Sequence, residues 1–286
     1  MTAWQLLTEG WSFKPLVLAG CTALILGYAA LIRLRFTGKT LCFVSGVLLL
    51  FLSLVSPLNS LAQGFLFSAH MLQHIFLLLI VPLLFLLGIP SSLAKKFLLR
   101  PRAAAVESVL RQPVIAWLSG VGAMWVWHIP ALYEASLQNE ILHIIQGISL
   151  LIVGMIFWWP IFSPFEGSRL NPLVSVLYLF SACVGCTVLG IVITFAPAGL
   201  FATAHLHVVD TQGIIGLVRD DWGISRSVDQ QVGGLLMWVP CCLLYSSIIM
   251  TILARWYKAP EESVVSALTA DGMSPVTISS AGKVEI

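Results

Sequence analysis

The sequence is short of charged side chains. Asp, Glu, Lys and Arg make up 10% of its 286 residues, whereas about a quarter is usual in a soluble domain. Hydrophobic residues make up 58% of the chain, and its mean hydropathy is +0.95. This balance excludes a disordered chain and a soluble enzyme with an ordinarily hydrated surface, and it predicts a polytopic membrane protein.

A strong net charge and catalytic motifs are also lacking. The net charge of +2 argues against a nucleic-acid partner. The sequence contains no nucleophile–base–acid set and no phosphate-binding glycine loop. We therefore assign no catalytic and no cofactor-binding residues, and we predict that the protein is not an enzyme. The sequence carries no signal for an oligomeric state.

The six cysteines do not predict a disulfide scaffold. Most of them lie within apolar runs, where thiols pack as small apolar side chains. Cys183 and Cys186 are three residues apart on a predicted helix and could together bind a soft metal. Packing between helices is the favoured interpretation, because a CxxC within an apolar helix lacks the context of a zinc ribbon.

Seven apolar segments have the length of membrane-spanning helices, each of which needs about 20 mostly apolar residues. Their apolar runs are continuous rather than alternating, which favours helices over a β-barrel. The segments are Leu16–Leu34, Leu41–Pro57, Phe67–Leu87, Pro113–Ile129, Ile141–Pro160, Leu173–Phe195 and Gly233–Ala254. We therefore predict an all-α fold, a seven-transmembrane-helix bundle over residues 16–255 of a multi-pass protein in the lipid bilayer.

The basic residues are sorted between the two sides of this bundle. Lys and Arg accumulate in the cytoplasmic loops of membrane proteins. Of the 15 basic residues, all but Lys14, Arg219 and Arg226 fall on one side of the predicted spans. The predicted topology therefore places the N-terminus outside and the C-terminus in the cytoplasm.

Three segments lie outside the predicted spans. Residues 1–15, which include Trp4 and Trp11, are expected to lie in the outer membrane interface. Residues 196–232 are predicted to form an outer loop between the sixth and seventh spans. Residues 256–286 end in a stretch rich in Ser, Thr and Glu, and they are expected to form a disordered cytoplasmic tail.

All six histidines fall on the predicted outer side of the bundle. Residues one helical turn apart share a face, so two of these imidazoles project together from the third span. The positions are His70 and His74 near the start of the third span, His128 at the end of the fourth, His143 at the start of the fifth, and His205 and His207 in the outer loop.

This one-sided placement supports the hypothesis of a metal site. Imidazole is the commonest metal ligand in proteins, and imidazole combined with thioether favours copper. Polar groups at membrane depth are functional candidates in their own right. For each residue alone, helix capping or packing is the competing interpretation. The predicted metal-binding set is His70, His74, His128, His143, Met124, Met237, Asp229 and Gln230.

Four motifs resemble the multi-pass CtaG family of cytochrome c oxidase assembly factors, over roughly residues 10 to 255. They occur in the family's order. The motifs are His70–His74 with the span that ends at Pro90, Trp127–Tyr133, Leu142–His143 leading to Phe157–Ile161, and Asp229–Pro240. Members often carry a further histidine about one turn after the position of His143, where this chain has Gln146 and Gly147.

The resemblance implies a seven-span protein of the bacterial plasma membrane that helps a haem-copper oxidase to mature, with copper handling as its expected role. Cytochrome c oxidase subunits are then the expected partners. His70, His74, His128 and His143 match the family's recurring histidines, and Asp229 with Gln230 matches its motif before the last span. His205 and His207 are not part of that pattern.

Other functions compete with a copper-handling assembly factor. A haem-binding membrane cytochrome would also use histidines on different spans. A structural subunit of the oxidase, without transferable metal, would use the same histidines as helix caps. A transporter is disfavoured, because the inner halves of the spans carry almost no charged residues.

Overall fold

The protein is described by a computed structural model over residues 1–32, 37–98, 100–197, 200–201, 210 and 212–270. Within these ranges it is helical and contains no β-strand, which confirms the predicted all-α fold. The helices are α1 (Ala3–Glu9), α2 (Pro15–Ile32), α3 (Gly38–Val55), α4 (Pro57–Ala62), α5 (Phe67–Ile75), α6 (Val81–Gly88), α7 (Ser91–Leu98), α8 (Pro101–Leu110), α9 (Pro113–Trp127), α10 (Pro130–Gln138), α11 (Glu140–Phe162), α12 (Pro172–Phe195), α13 (Ile214–Gly216) and α14 (Arg226–Ala270).

Six helices in the described ranges are long and apolar enough to cross a membrane. One of them, Phe67–Gly88, consists of α5, a π-helical turn (Phe76–Ile80) and α6 in continuous succession. Counting the bent pair α9 and α10 as one further span gives seven. The helices therefore have the number and composition of a multi-pass membrane protein, in agreement with six of the predicted spans. The predicted fourth span, Pro113–Ile129, reaches spanning length only together with α10.

The bend between α9 and α10 measures 74°. It falls at Pro130, the first residue of α10, which has no N–H to continue the helix and prefers this position. The preceding Ile129 is extended, with φ −64° and ψ 123°. Because of this bend α10 packs against both α9 and α11, and it carries Tyr133 into the buried centre.

The π-helical turn lies where the third span meets α11. Pro82 at the start of α6 lacks an N–H, so the preceding turn loses a hydrogen bond. The indole Nε1 of Trp158 donates to the Leu79 carbonyl at 2.9 Å, which pairs one polar group of that turn. Gly154 of α11 lies so close that a Cβ there would collide with the Leu78 carbonyl.

Helices α12 and α14 form the most extensive helix pair of the bundle. Gly190 and Gly234 face each other across it, and a Cβ at Gly190 would lie 2.8 Å from the Gly234 carbonyl oxygen. Glycine is therefore required at this crossing, as is common where membrane helices pack closely.

One end of the bundle gathers the helix termini that carry the predicted site. The starts of α5 and α14 meet there, because Asp229 contacts the backbone of Phe67. The starts of α2 and α11 meet there as well, joined by a 3.0 Å ion pair between Lys14 and Glu140. We refer to this end as the histidine end. Its assignment to the outer side of the membrane stays a prediction.

Two predicted boundaries differ in the structure. Helix α14 begins at Arg226, inside the predicted outer loop 196–232, because the Ser225 hydroxyl accepts the Val228 N–H at 3.3 Å and caps the new first turn. The same helix continues to Ala270, so the segment expected to be a disordered tail begins as helix. Residues 271–286 lie outside the described ranges, and disorder there stays a prediction.

The N-terminal segment and the loop before α14 pack together at the histidine end. Within the predicted interfacial segment 1–15, α1 buries Leu6 against a small apolar core that includes Leu66 and Val218. Arg219 donates to the Ile224 carbonyl at 2.6 Å and to the Phe65 carbonyl at 3.3 Å. The loop is therefore held against the start of α5.

Candidate metal site

Four histidines from different parts of the chain lie together at the histidine end. His70 and His74 of α5 have ring centroids 4.3 Å apart. The ring of His143 on α11 is 5.8 Å from that of His70, and the ring of His128, just after α9, is 5.1 Å from that of His74. We refer to these four residues as the histidine cluster.

The cluster is mostly sealed from solvent. His70, His74 and His128 are buried, with at most 4% of each residue exposed. His143 is only partly buried and lies one turn from the start of α11. Access to the cluster from the histidine end is therefore easiest at His143.

Two imidazoles are oriented by backbone carbonyls. The Nδ1 atom of His70 lies 3.2 Å from the Ala62 carbonyl oxygen, and Nδ1 of His128 contacts the Met124 carbonyl oxygen. A carbonyl oxygen only accepts hydrogen bonds, so each Nδ1 carries the hydrogen and each neutral ring leaves a lone pair on Nε2. Metal-binding histidines in proteins are usually held in this way.

The bare Nε2 of His128 faces a sulfur atom. It lies 3.0 Å from Sδ of Met71, the residue that follows His70 on α5. With the ring hydrogen on Nδ1, neither atom has a proton to share, so two electron-pair donors face each other. A soft cation is the kind of partner that would suit both.

Other nitrogen atoms of the cluster have no hydrogen-bond partner in the described structure. They are buried, and they comprise Nε2 of His70, both ring nitrogens of His74 and Nδ1 of His143. A buried polar group without a partner costs about 1–3 kcal/mol. Such a concentration of unpaired nitrogens in one place has the donor chemistry of a site that takes a ligand.

The ring nitrogens do not yet converge on a common point. Within the described ranges, no group of three or more His, Cys, Asp or Glu side chains has the arrangement needed to hold a metal ion. The His70 and His74 rings instead pack against each other at an interplanar angle of 60°. The donor chemistry therefore fits a metal, while shared coordination requires the rings to rotate about their side-chain bonds.

Asp229 and Gln230, both predicted as ligands, make the contacts of helix caps. The Asp229 carboxylate accepts from the N–H groups of Phe67 at 2.9 Å and Ser68 at 3.0 Å. Gln230 donates from Nε2 to the carbonyls of Ile193 and Ala196 at the end of α12. These residues join three helix ends beside the cluster, and a direct ligand role for either stays a prediction.

The two methionines of the predicted set contribute differently. The carbonyl of Met124 orients His128, but its sulfur lies 3.6 Å from Sγ of Cys186. Met237 is buried in the apolar core. The sulfur that does meet an imidazole belongs to Met71. The predicted set does not contain Met71, although its place next to His70 in the sequence is a signal for it.

Tyr133 is a second residue that the predicted set omitted. Its ring stands edge-on to His70 with a centroid distance of 5.2 Å, and its buried hydroxyl has no hydrogen-bond partner in the described structure. Tyr133 ends the motif that begins at Trp127, but only the bend at Pro130 brings it to the cluster.

The cysteines of the predicted CxxC lie between α12 and α14. Sγ of Cys183 is 2.7 Å from Sγ of Cys242, and all the cysteines are free thiols. Cys183 and Cys242 are half-buried, whereas Cys186 is fully buried in the apolar core. These contacts agree with packing between helices. His205 and His207 lie outside the described residues.

Comparison with known proteins assigns the chain to a family. The family model of the cytochrome c oxidase caa3 assembly factor matches residues 26–259. An uncharacterized protein of Mycobacterium leprae (strain TN) is 26% identical over 273 residues, which are 87% of this chain and 40% of the relative. Uncharacterized proteins of Mycobacterium bovis and Mycobacterium tuberculosis are each 24% identical over 271 residues, which are 87% of this chain and 39% of the relative.

This chain therefore spans about two fifths of the length of the curated relatives it matches. No solved structure matches it. The family match covers most of the chain and includes every residue of the histidine cluster. The chain belongs to the cytochrome c oxidase caa3 assembly factor family.

Proposed function

We propose that this protein helps to assemble a haem-copper oxidase in the bacterial plasma membrane, and that it binds copper as cargo at the histidine cluster. The copper proposal rests mainly on one observation. His128 is oriented by the Met124 carbonyl so that its bare Nε2 faces the sulfur of Met71 at 3.0 Å. An imidazole nitrogen next to a thioether is a donor pair that favours copper over magnesium or calcium.

The remaining histidines supply further donors around this pair. The Ala62 carbonyl holds Nδ1 of His70, which leaves its Nε2 available as a ligand. His74 lies between His70 and His128, and both of its ring nitrogens are without a hydrogen-bond partner in the described structure. His143 is the member nearest to the surface of the histidine end. We assign it the role of first contact for a copper ion that arrives or leaves.

Asp229 and Gln230 act on the proposed site as positioning residues. Asp229 holds the first turn of α5, which carries His70 and His74. Gln230 ties the start of α14 to the end of α12. Both residues therefore set the distance between helices without being required to touch the ion.

The predicted topology places the histidine end outside the cytoplasm, where it could meet an oxidase subunit. The proposal is therefore a non-enzymatic factor that passes copper to cytochrome c oxidase. It requires release as well as binding, and the partly exposed His143 supports reversible access.

Metal analysis of the purified full chain tests the copper proposal. The wild type is incubated with Cu(I) under reducing conditions, desalted and measured next to a His70→Ala/His74→Ala variant. We expect copper bound to the wild type and a loss of most of it in the variant, while both elute as folded protein. Equal copper in both proteins, or none in either, would overturn the proposal.

The same samples separate copper handling from the competing haem function. An absorbance spectrum recorded before and after reduction would show a Soret band if haem were bound. Such a band in the wild type, lost in the variant, would favour the cytochrome. Stoichiometric copurification with the oxidase would instead favour a permanent structural subunit.

A further inference from the structure

A cavity of about 540 Å³ lies beside the histidine cluster, between α2, α3, α5 and α11. Small-molecule sites typically measure about 300–1,000 Å³, whereas a water molecule takes up about 30 Å³. The cavity is therefore of ligand size. It differs from the Met71–His128 side of the cluster, because neither of those residues lines it.

The cavity exists because α2 and α11 do not pack along their length. Of the 18 residues of α2, only Cys21 and Tyr28 are buried. At the histidine end the two helices are connected by the ion pair of Lys14 and Glu140 at 3.0 Å. Below this pair the walls are largely aliphatic. Leu16 and Ile148 line the cavity and are exposed on the surface of the bundle, at 66% and 53%. The opening therefore lies on the apolar surface of the bundle, which the predicted spans place against lipid chains.

The inner wall of the cavity is polar and incompletely paired. Gln73 donates from Nε2 to the Ser53 carbonyl at 2.7 Å and to Oδ1 of Asn59 at 3.1 Å. The Ser53 carbonyl only accepts, so the orientation of the Gln73 amide is set, and Asn59 must offer Gln73 its oxygen. The Nδ2 group of Asn59 is thereby left as a buried donor without a partner.

Gln146 is a second buried amide in the cavity wall. It is 1% exposed, it lines the cavity, and its Nε2 has no partner in the described structure. His74, which also lines the cavity, has two unpaired ring nitrogens. Two amide donors at the end of an aliphatic cavity are matched by a head that carries hydrogen-bond-accepting oxygens.

The charge pattern limits the head group further. Among the described residues, the formally charged side chains on the cavity wall are Lys14 and Glu140, and these pair with each other. A charged head would meet no opposite charge next to the amide donors. The head that fits is a neutral one with carbonyl oxygens.

We propose that this cavity binds a neutral carbonyl head borne on an apolar chain, which enters from the membrane between α2 and α11. Asn59 and Gln146 donate to the carbonyl oxygens, and the aliphatic walls of α2 and α11 cover the chain. Two membrane components offer this chemistry, namely an isoprenoid quinone and an uncharged diacylglycerol with its ester carbonyls. The proposal goes beyond the copper function and does not depend on it.

Two glycines in the wall provide a test that fills the cavity without disturbing the backbone. A Cβ at Gly147 would meet only Leu77 at 3.8 Å, and one at Gly20 would meet nothing within 4 Å. Gly147→Leu therefore blocks the cavity, and Gly20→Leu is a second blocking variant in case the first fails to fold. Gly122→Leu on α9 is the matched control, because its Cβ also meets nothing within 4 Å and Gly122 does not line the cavity.

The experiment uses the full chain in phosphatidylcholine vesicles with two photoactivatable probes, a quinone analogue and a diacylglycerol. Labelled peptides are mapped by mass spectrometry. We expect labelling to concentrate in α2 and the first half of α11, and to be competed by the unlabelled parent of one probe, which identifies the source. We expect Gly147→Leu to lower this labelling at least about tenfold, equivalent to ~1.4 kcal/mol, and Gly122→Leu to leave it unchanged.

Gln146→Leu tests the polar wall separately, and the competing concentration should rise about fivefold, as for one lost hydrogen bond. Labelling spread evenly over the lipid-facing helices, or unchanged in both blocking variants, would overturn the proposal. Copper content is measured on the same preparations. A wild-type protein that is labelled in the cavity but binds no copper would count against the proposed function alone.

Discussion

The Asp229 carboxylate closes the first turn of α5 by accepting both the N–H and the hydroxyl of Ser68, at 3.0 and 2.7 Å. This contact joins the last span of the chain to the third. It places a residue that the sequence suggested as a metal ligand into the role of a helix cap, and it makes the position of His70 and His74 depend on α14.

Replacing Asp229 should therefore lower the stability of the fold, and any loss of copper binding should be a consequence of that lower stability. We expect Asp229→Ala to lower the free energy of unfolding by about 2–3 kcal/mol, because buried N–H donors lose a charged acceptor. Asp229→Asn should lie in between, since its amide oxygen still accepts. Thermal unfolding in detergent measures the effect, with the exposed Asp221→Ala as control. Copper loss at an unchanged melting temperature would contradict this role and support direct ligation.

The Met71 sulfur should contribute to copper affinity. We expect Met71→Leu to weaken Cu(I) binding by about tenfold, or ~1.4 kcal/mol, because His128 loses its soft neighbour while the volume of the side chain is kept. Competition with a chromogenic Cu(I) chelator measures the affinity. Met250→Leu is the matched control, since Met250 is 65% exposed on α14, far along the chain from the cluster. If the two variants bind equally well, the thioether has no part in the site.

The crossing of α12 and α14 should tolerate no side chain at Gly234. A Cβ there would collide with Thr194 and lie 2.9 Å from the Gly190 carbonyl oxygen. We expect Gly234→Ala to destabilise the protein by about 1–3 kcal/mol. Gly122→Ala meets open space and should stabilise its helix by up to about 1 kcal/mol through helix propensity. Melting temperatures that shift in the same direction in both variants would show that the close approach is unimportant.

The indole of Trp158 should stabilise the fold through its hydrogen bond as well as through the volume that it fills. Trp158→Phe leaves the Leu79 carbonyl of the π-helical turn without its donor, and we expect a loss of about 1–3 kcal/mol. Trp256→Phe, at a residue that is 50% exposed, should change stability by no more than about 0.5 kcal/mol. Comparison of the two unfolding transitions checks this. A Trp158→Phe protein as stable as the wild type would mean that the turn needs no donor from α11.

Much of the fold follows from local pattern. Long apolar runs and scarce charge predict the helices over most of their length, because an apolar segment of this size can satisfy its backbone in the membrane only as a helix. The clustering of His70, His74, His128 and His143 also follows from counting spans, which places these residues at the same end. Once the order of the spans is set, successive helices must cross the membrane in opposite directions.

The detailed contacts depend on neighbours that are distant in sequence. Asp229 caps a helix some 160 residues away, as its bond to Phe67 shows, and no local pattern distinguishes that role from ligation. Met71 and Tyr133 reach the cluster because of side-chain direction and the 74° bend at Pro130. The start of α14 at Arg226 depends on the cap provided by Ser225 rather than on hydrophobicity.

By itself, the sequence determined the class of the protein, its helical architecture and the end of the bundle that holds the histidines. Each of these follows from the cost of placing polar groups in lipid, which acts on every segment separately. Only the tertiary structure decided which polar atoms are paired and which are left bare. It turned Asp229 and Gln230 into caps, oriented His70 and His128 through backbone carbonyls, and left an aliphatic cavity with unpaired donors between α2 and α11. Hydrogen bonding and packing are relations between segments, so they are settled only when the helices meet.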